Sequence, residues 1–254
     1  MYIVQFLLLV AGGFIGGFFG SAAGSAGLVS LPLLLLFGLS PHMAIGTTRP
    51  GAVILETVCA LRYWREGTLS PLFVRRGLFL GIAGAAGSVT GALILGEVSD
   101  ETMRLLLSLV ITSTTIFLFM KKQWGMIEHP ERQTHTTLLM LGTFLAGLYA
   151  GFFGFTFGTL IMIVLAVFGY TLLQSAAVGR VIGTLTSSAS MIVFAWQGYI
   201  DIPYALALAI GFGIGGWIGT RVAVQKGNRY VKVLLVIVVI CSVVKLLVDY
   251  FYAL

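Results

Sequence analysis

The chain has 254 residues, of which 58% are hydrophobic and only 9% charged, with a mean hydropathy of +1.03. Soluble domains carry about 25% charged residues, so this composition cannot clothe a compact domain in water-compatible side chains, whereas a lipid-facing surface needs no such cover. The net charge of +6 falls in short loops between apolar runs, where basic residues act as topology signals; this argues for the lipid bilayer as a partner and against nucleic acid.

Spanning about 30 Å of hydrocarbon takes about 20 helical residues. The first apolar run, Ile3–Phe19, is followed by Ser21-Ala22-Ala23-Gly24, which loosely resembles a signal-peptide cleavage region. No basic stretch precedes it and its Gly-Phe-Phe-Gly run recurs deep in the chain, so it reads as a retained helix. A stretch of small residues, Ser21 to Gly27, then breaks the run before Leu28–Phe37, which is too short to span and reads as a tilted or partial helix. Ser40-Pro41 supplies a cap residue and a first-turn proline for the third run, Met43–Leu61. That run carries Thr47, Thr48, Arg49, Pro50 and Glu56, and Pro50 should disturb it by freeing the carbonyl near Gly46. The basic loop with Arg62, Arg65, Arg75 and Arg76 leads to Leu72–Gly96, whose glycines suit tight helix packing. An acidic loop (Glu97, Asp100, Glu101) and a fifth run, Met103–Met120, complete the first half.

Residues 121–135 form a basic linker with Lys121, Lys122 and Arg132. The second half runs Thr136–Phe153, a break from Gly154 to Thr159, Thr159–Phe168, Leu172–Trp196 with Arg180, Tyr204–Val224 and Val231–Tyr252. Lys245 and Asp249, spaced i, i+4 on the last run, suit a local salt bridge. Trp64, Trp124, Trp196 and Trp217 mostly fall near run ends, as interfacial anchors do.

The halves share landmarks in one order. Gly17-Phe18-Phe19-Gly20 with Gly24 answers Gly151-Phe152-Phe153-Gly154 with Gly158. Phe37-Gly38 answers Phe168-Gly169, Ala44-Ile45-Gly46 answers Ala177-Val178-Gly179, and Gly67-Thr68-Leu69 answers Gly198-Tyr199-Ile200. Gly87 and Gly91 answer Gly215 and Gly219. Loop charge inverts between the copies: the Arg-rich third loop corresponds to Gln197–Pro203, which has no Lys or Arg, and the acidic fourth loop to the basic one around Lys226 and Arg229. The expected fold is therefore an all-α polytopic membrane protein of two inverted-topology repeats, about five membrane segments each, with broken or short helices. The first repeat is 1–120, the linker 121–135 is cytoplasmic, the second repeat is 136–254, and both termini lie outside a cell membrane.

Breaks within apolar segments are where transporters place substrates, because freed backbone groups and helix N-termini face a cavity there. Two such breaks, with Ser21, Gly24 and Ser25 in one and Gly154, Thr156, Gly158 and Thr159 in the other, are the candidate substrate-binding elements. Arg49 and Arg180 are the second signal. An arginine at membrane depth usually faces a partner or a watery cavity, and its paired N–H donors suit oxyanions. The plainer alternatives are that small residues only permit packing and that both arginines snorkel to an interface. Thr47 and Thr48 complete the candidate set, and Glu56 is either an ion-pair partner for a basic residue or a proton-coupling carboxylate. No enzyme, cofactor or metal is indicated: Cys59 and Cys241 lie in apolar segments, His42, His129 and His135 do not cluster, and no P-loop or nucleophile elbow is present.

At Gly17-Phe18-Phe19-Gly20, Leu31-Pro32-Leu33-Leu34, Gly38-Leu39-Ser40-Pro41 and Ala44-Ile45-Gly46-Thr47, with the unit repeated, the chain resembles the TauE/SafE family of sulfite exporters and related permeases over nearly its full length. The resemblance implies a permease of a bacterial-type cytoplasmic membrane that moves a small sulfur-containing anion of the sulfite or sulfonate class. A passive anion channel, or a transporter of a different small organic anion, is the alternative. An exposed small-residue face would support a homodimer.

Overall fold

The computed structural model describes residues 3–98, 128–129, 133, 136–154 and 156–252, with side chains as far as Leu234. The fifth predicted run, most of the linker and the Lys245–Asp249 pair lie outside the described residues or side chains. The helices are α1 (Ile3–Ala23), α2 (Gly27–Leu36), α3 (Pro41–Arg65), α4 (Pro71–Leu95), α5 (Thr136–Phe152), α6 (Phe157–Val167), α7 (Leu172–Trp196) and α8 (Ile202–Tyr252). The ninth and tenth predicted runs are the two arms of α8, which is broken at Gly227 (φ 70°, ψ −167°). Among the described residues four helices are long and apolar enough to cross a membrane: α1, α4, α7 and Ile202–Leu234 of α8. With α2 and α6 only 10 and 11 residues long, each spans about 15 Å, half the hydrocarbon thickness.

Local chemistry sets the ends. Ser40 and Ser70 accept hydrogen bonds from Met43 N and Phe73 N, each followed by a proline in the first turn. The second half lacks the Ser-Pro start, and α7 opens instead on a Thr171–Gln174 capping box. α2, α3, α6 and α7 all stop at a left-handed glycine, namely Gly38, Gly67, Gly169 and Gly198. The amide after each glycine closes the turn, as in Thr68 N to Tyr63 O and Tyr199 N to Phe194 O. Pro50 does not end α3, which runs continuously through it.

The elements recur at one spacing: Gly38 with Gly169, Gly67 with Gly198, Arg49 with Arg180, and α3 with α7, each 25 residues long. At the breaks the correspondence is Gly24 with Gly154, both left-handed. This is one helical turn away from the pairing that the two Gly-Phe-Phe-Gly runs suggest.

α1 packs along α8 and α4 along α5, with α3 and α7 between these pairs. Both outer contacts are backbone-close. A Cβ on Gly215 or Gly219 would meet the carbonyl of Phe14 or Phe18, and one on Gly87 or Gly91 would meet that of Phe144 or Leu148. These are the glycines the sequence pairs across the halves, and they make equivalent contacts. Gly87→Val should therefore push α4 off α5 and cost about 1–3 kcal/mol, read as a lower melting temperature of the purified protein in detergent. Gly67→Ala, with open space at its Cβ, should cost no more than the strain of a left-handed residue.

α3 is as long as α7, yet it is not among the apolar spans, because it carries Arg49, Glu56, Arg62 and Arg65. Of these, Arg49 and Glu56 are buried inside the protein. The mean hydropathy of α3 falls because its inner face carries charged side chains in place of apolar ones.

Candidate functional site

The two breaks cross in the middle of the molecule. Gly24 leaves α1 at φ 78° and Gly154 leaves α5 at φ 75°. Gly24 lies directly against the backbone of Gly158, so neither position has room for a Cβ. Thr159 Oγ1 donates to Ala23 O at 2.6 Å, which uses its one proton; the 2.6 Å contact with Ser25 Oγ must then be donated by Ser25. Thr156 Oγ1 and Tyr149 Oη share a 2.6 Å hydrogen bond. The short helices leaving the breaks, α2 and α6, have no side-chain cap at their N-termini.

Each arginine reaches across to the helix end of the other half. Arg180, on α7, donates from Nη2 to Gly20 O at 2.8 Å, and Arg49, on α3, donates from Nη2 to Ala150 O at 2.7 Å. Gly20 precedes Gly24 by the same one turn by which Ala150 precedes Gly154. In α5 the amide of Gly154 goes to Tyr149 O, which leaves the carbonyl of Ala150 open to the arginine. Both arginines are 2% exposed, so neither reaches an interface; the snorkelling alternative does not describe them.

Their charge environments differ. Arg180 Nη1 lies 2.9 Å from both oxygens of Glu56 on α3, a buried ion pair. Arg49 has no carboxylate within salt-bridge distance among the described residues. Its guanidinium sits 5.3 Å from the centre of the Phe194 ring, and its Nε, like that of Arg180, is buried without a hydrogen-bond partner. Gly154 is left-handed, and a Cβ there would fall on the Arg49 guanidinium and displace it from its present position.

Arg49, Arg180 and Glu56 line one cavity of about 40 Å³, room for a few waters or one small ion. Gly24, Thr48, Gly154 and Gly158 also line it. The remaining predicted residues do not line it. Ser21 donates to Phe18 O, Thr47 accepts from Asp201 N, and Ser25, Thr156 and Thr159 make the bonds given above. Two lining hydroxyls escaped sequence reasoning: Ser30 on α2, fully buried with Oγ unpartnered, and Ser187 on α7. A serine inside an apolar helix gives no pattern that would single it out. Ser187, however, stands at the position of α7 that Glu56 holds in α3, and the repeat could have found it.

The match of a family model described as sulfite exporter TauE/SafE spans residues 9–246. The chain is 27% identical to a probable membrane transporter protein, ORF9, of Sinorhizobium sp., over 98% of this chain and 94% of that protein. It is 24% identical to a probable membrane transporter protein of Haemophilus influenzae, over 95% and 94% of the two chains. It is also 28% identical to the probable membrane transporter protein YdhB of Bacillus subtilis, over 86% and 87%. No solved structure matches the chain.

Proposed function

The chain belongs to the sulfite exporter TauE/SafE family, and from that premise we propose that it is a secondary transporter of a small sulfur-containing oxyanion, sulfite or a small organosulfonate. The class is a membrane transporter rather than an enzyme; substrate and mechanism are our reading. The observation that carries it is Arg49, a buried guanidinium with no carboxylate beside it, facing a cavity large enough for one small ion. A buried charge left alone is costly, and an anion supplies the missing partner through the Nε and fork geometry that oxyanions favour. Ser30 Oγ adds a donor around the same space, whereas at the start of α2 the amides of Leu28 and Val29 already go to Ser25 O and Ala26 O.

We assign Glu56 to charge balance rather than proton coupling, because both its oxygens are held by Arg180. The site lies where helices of the two repeats meet. With the repeats inverted in a cell membrane and both termini outside, rocking of one set against the other would expose it alternately to the two sides.

Purified protein in proteoliposomes should take up sulfite with saturation, and sulfite preloaded inside should accelerate uptake by counterflow. Flux that rises linearly with concentration and shows no counterflow would instead mark a passive channel. No flux of sulfite or of any small sulfonate would remove the proposal.

A further inference from the structure

We propose that Glu56 sets the charge of the anion this protein accepts, making the cavity a site for monoanions. The inference rests on the cavity being the anion site. Of the described residues that line it, three are charged: Arg49, Arg180 and Glu56. Glu56 neutralises Arg180 through two 2.9 Å contacts to Nη1. At the equivalent position of the other half stands Ser187, which lines the same cavity but carries no charge, so Arg49 is left unbalanced. The lining therefore sums to a single positive charge.

The helix dipoles do not change this sum. At each break the negative end of one helix (α1 or α5) meets the positive end of the next (α2 or α6), and their partial charges offset one another. A monoanion brings the buried site to neutrality. A dianion leaves it with an uncompensated negative charge among glycine, alanine, leucine and phenylalanine, and must also shed the larger hydration shell.

Methanesulfonate and sulfate test this directly, since both are compact tetrahedral sulfur anions whose charges, one and two, are fixed near neutral pH. With the full chain purified in detergent, methanesulfonate should raise the melting temperature at concentrations at least about ten-fold lower than sulfate, because binding to the folded state stabilises it. In Glu56→Gln the lining carries two positive charges, and the preference should turn toward sulfate. The double variant Glu56→Gln/Arg180→Gln returns the lining to one positive charge and should prefer methanesulfonate again, which keeps the test informative if the single variant does not fold. Equal stabilisation of the wild type by both anions, with sulfite flux intact, leaves the transport reading standing and overturns the role of Glu56. An unchanged preference in folded Glu56→Gln overturns it as well. Stabilisation by neither anion, with no sulfite flux, overturns the anion site itself and the inference with it.

Discussion

Arg49→Ala should lower sulfite flux into proteoliposomes by about a hundred-fold, the equivalent of one or two charge-assisted hydrogen bonds to a buried anion. The chain should remain folded, because the substitution removes an unbalanced charge and a single bond, that to Ala150 O. Arg49→Lys keeps the charge but loses the planar fork that reaches Ala150 O and the cavity at once, and should restore only part of the flux. Arg180→Ala is the informative contrast. It strands Glu56 as a buried carboxylate without its cation, a loss of about 3–5 kcal/mol, so its main effect is on stability. The checks are a detergent melting curve for each variant beside its flux. Full flux in folded Arg49→Ala would sink the site assignment.

Gly24→Ala carries the second large effect. At φ 78° an alanine bears about 1–2 kcal/mol of left-handed strain. The greater problem is space, because its Cβ would fall on the backbone of Gly158 at the crossing of the breaks, and backbone cannot swing aside as a side-chain tip can. The chains must separate there, and Arg49, Arg180 and the short helices lose their alignment together. The expected result is loss of a monodisperse peak on size exclusion, or a melting temperature lowered by far more than strain alone explains. Gly38→Ala separates the two causes: its φ of 89° imposes the same strain, but nothing lies within 4 Å of its Cβ. It should melt slightly below the wild type and transport normally. If both variants behave alike, crowding at the crossing is not what requires Gly24.

Much of this architecture can be read from the residues because the controlling chemistry is local. The left-handed glycines at 38, 67, 169 and 198, the Ser40-Pro41 start and the interruptions near Gly24 and Gly154 act on their own neighbours, so sequence suffices to locate them. The hydroxyls were less legible for the same reason. Ser21 closes a short-range bond to Phe18 O within its own helix and does not line the cavity, a competition that a hydroxyl's identity alone does not reveal. The repeated Gly-Phe-Phe-Gly runs set the register one turn off, because small residues mark both packing faces and breaks, and only φ distinguishes them. Pairing was the least legible. Glu56 lies near Arg49 in sequence but binds Arg180, 124 residues away on another helix.

The capping of α1 bears on how the chain is made. Three carbonyls near its C-terminal end are met by side chains: Ser21 O by Tyr63, Gly20 O by Arg180 and Ala23 O by Thr159. Two of those donors lie 160 and 136 residues downstream, so they are synthesised only after most of the chain has left the ribosome. Gly20 O also accepts from the amide of Gly24 at 2.7 Å and Tyr63 belongs to the first half, so it is Ala23 O whose side-chain donor arrives last. Hydrocarbon penalises an unmet carbonyl, so the end of α1 takes its final form only when Thr159 is in place.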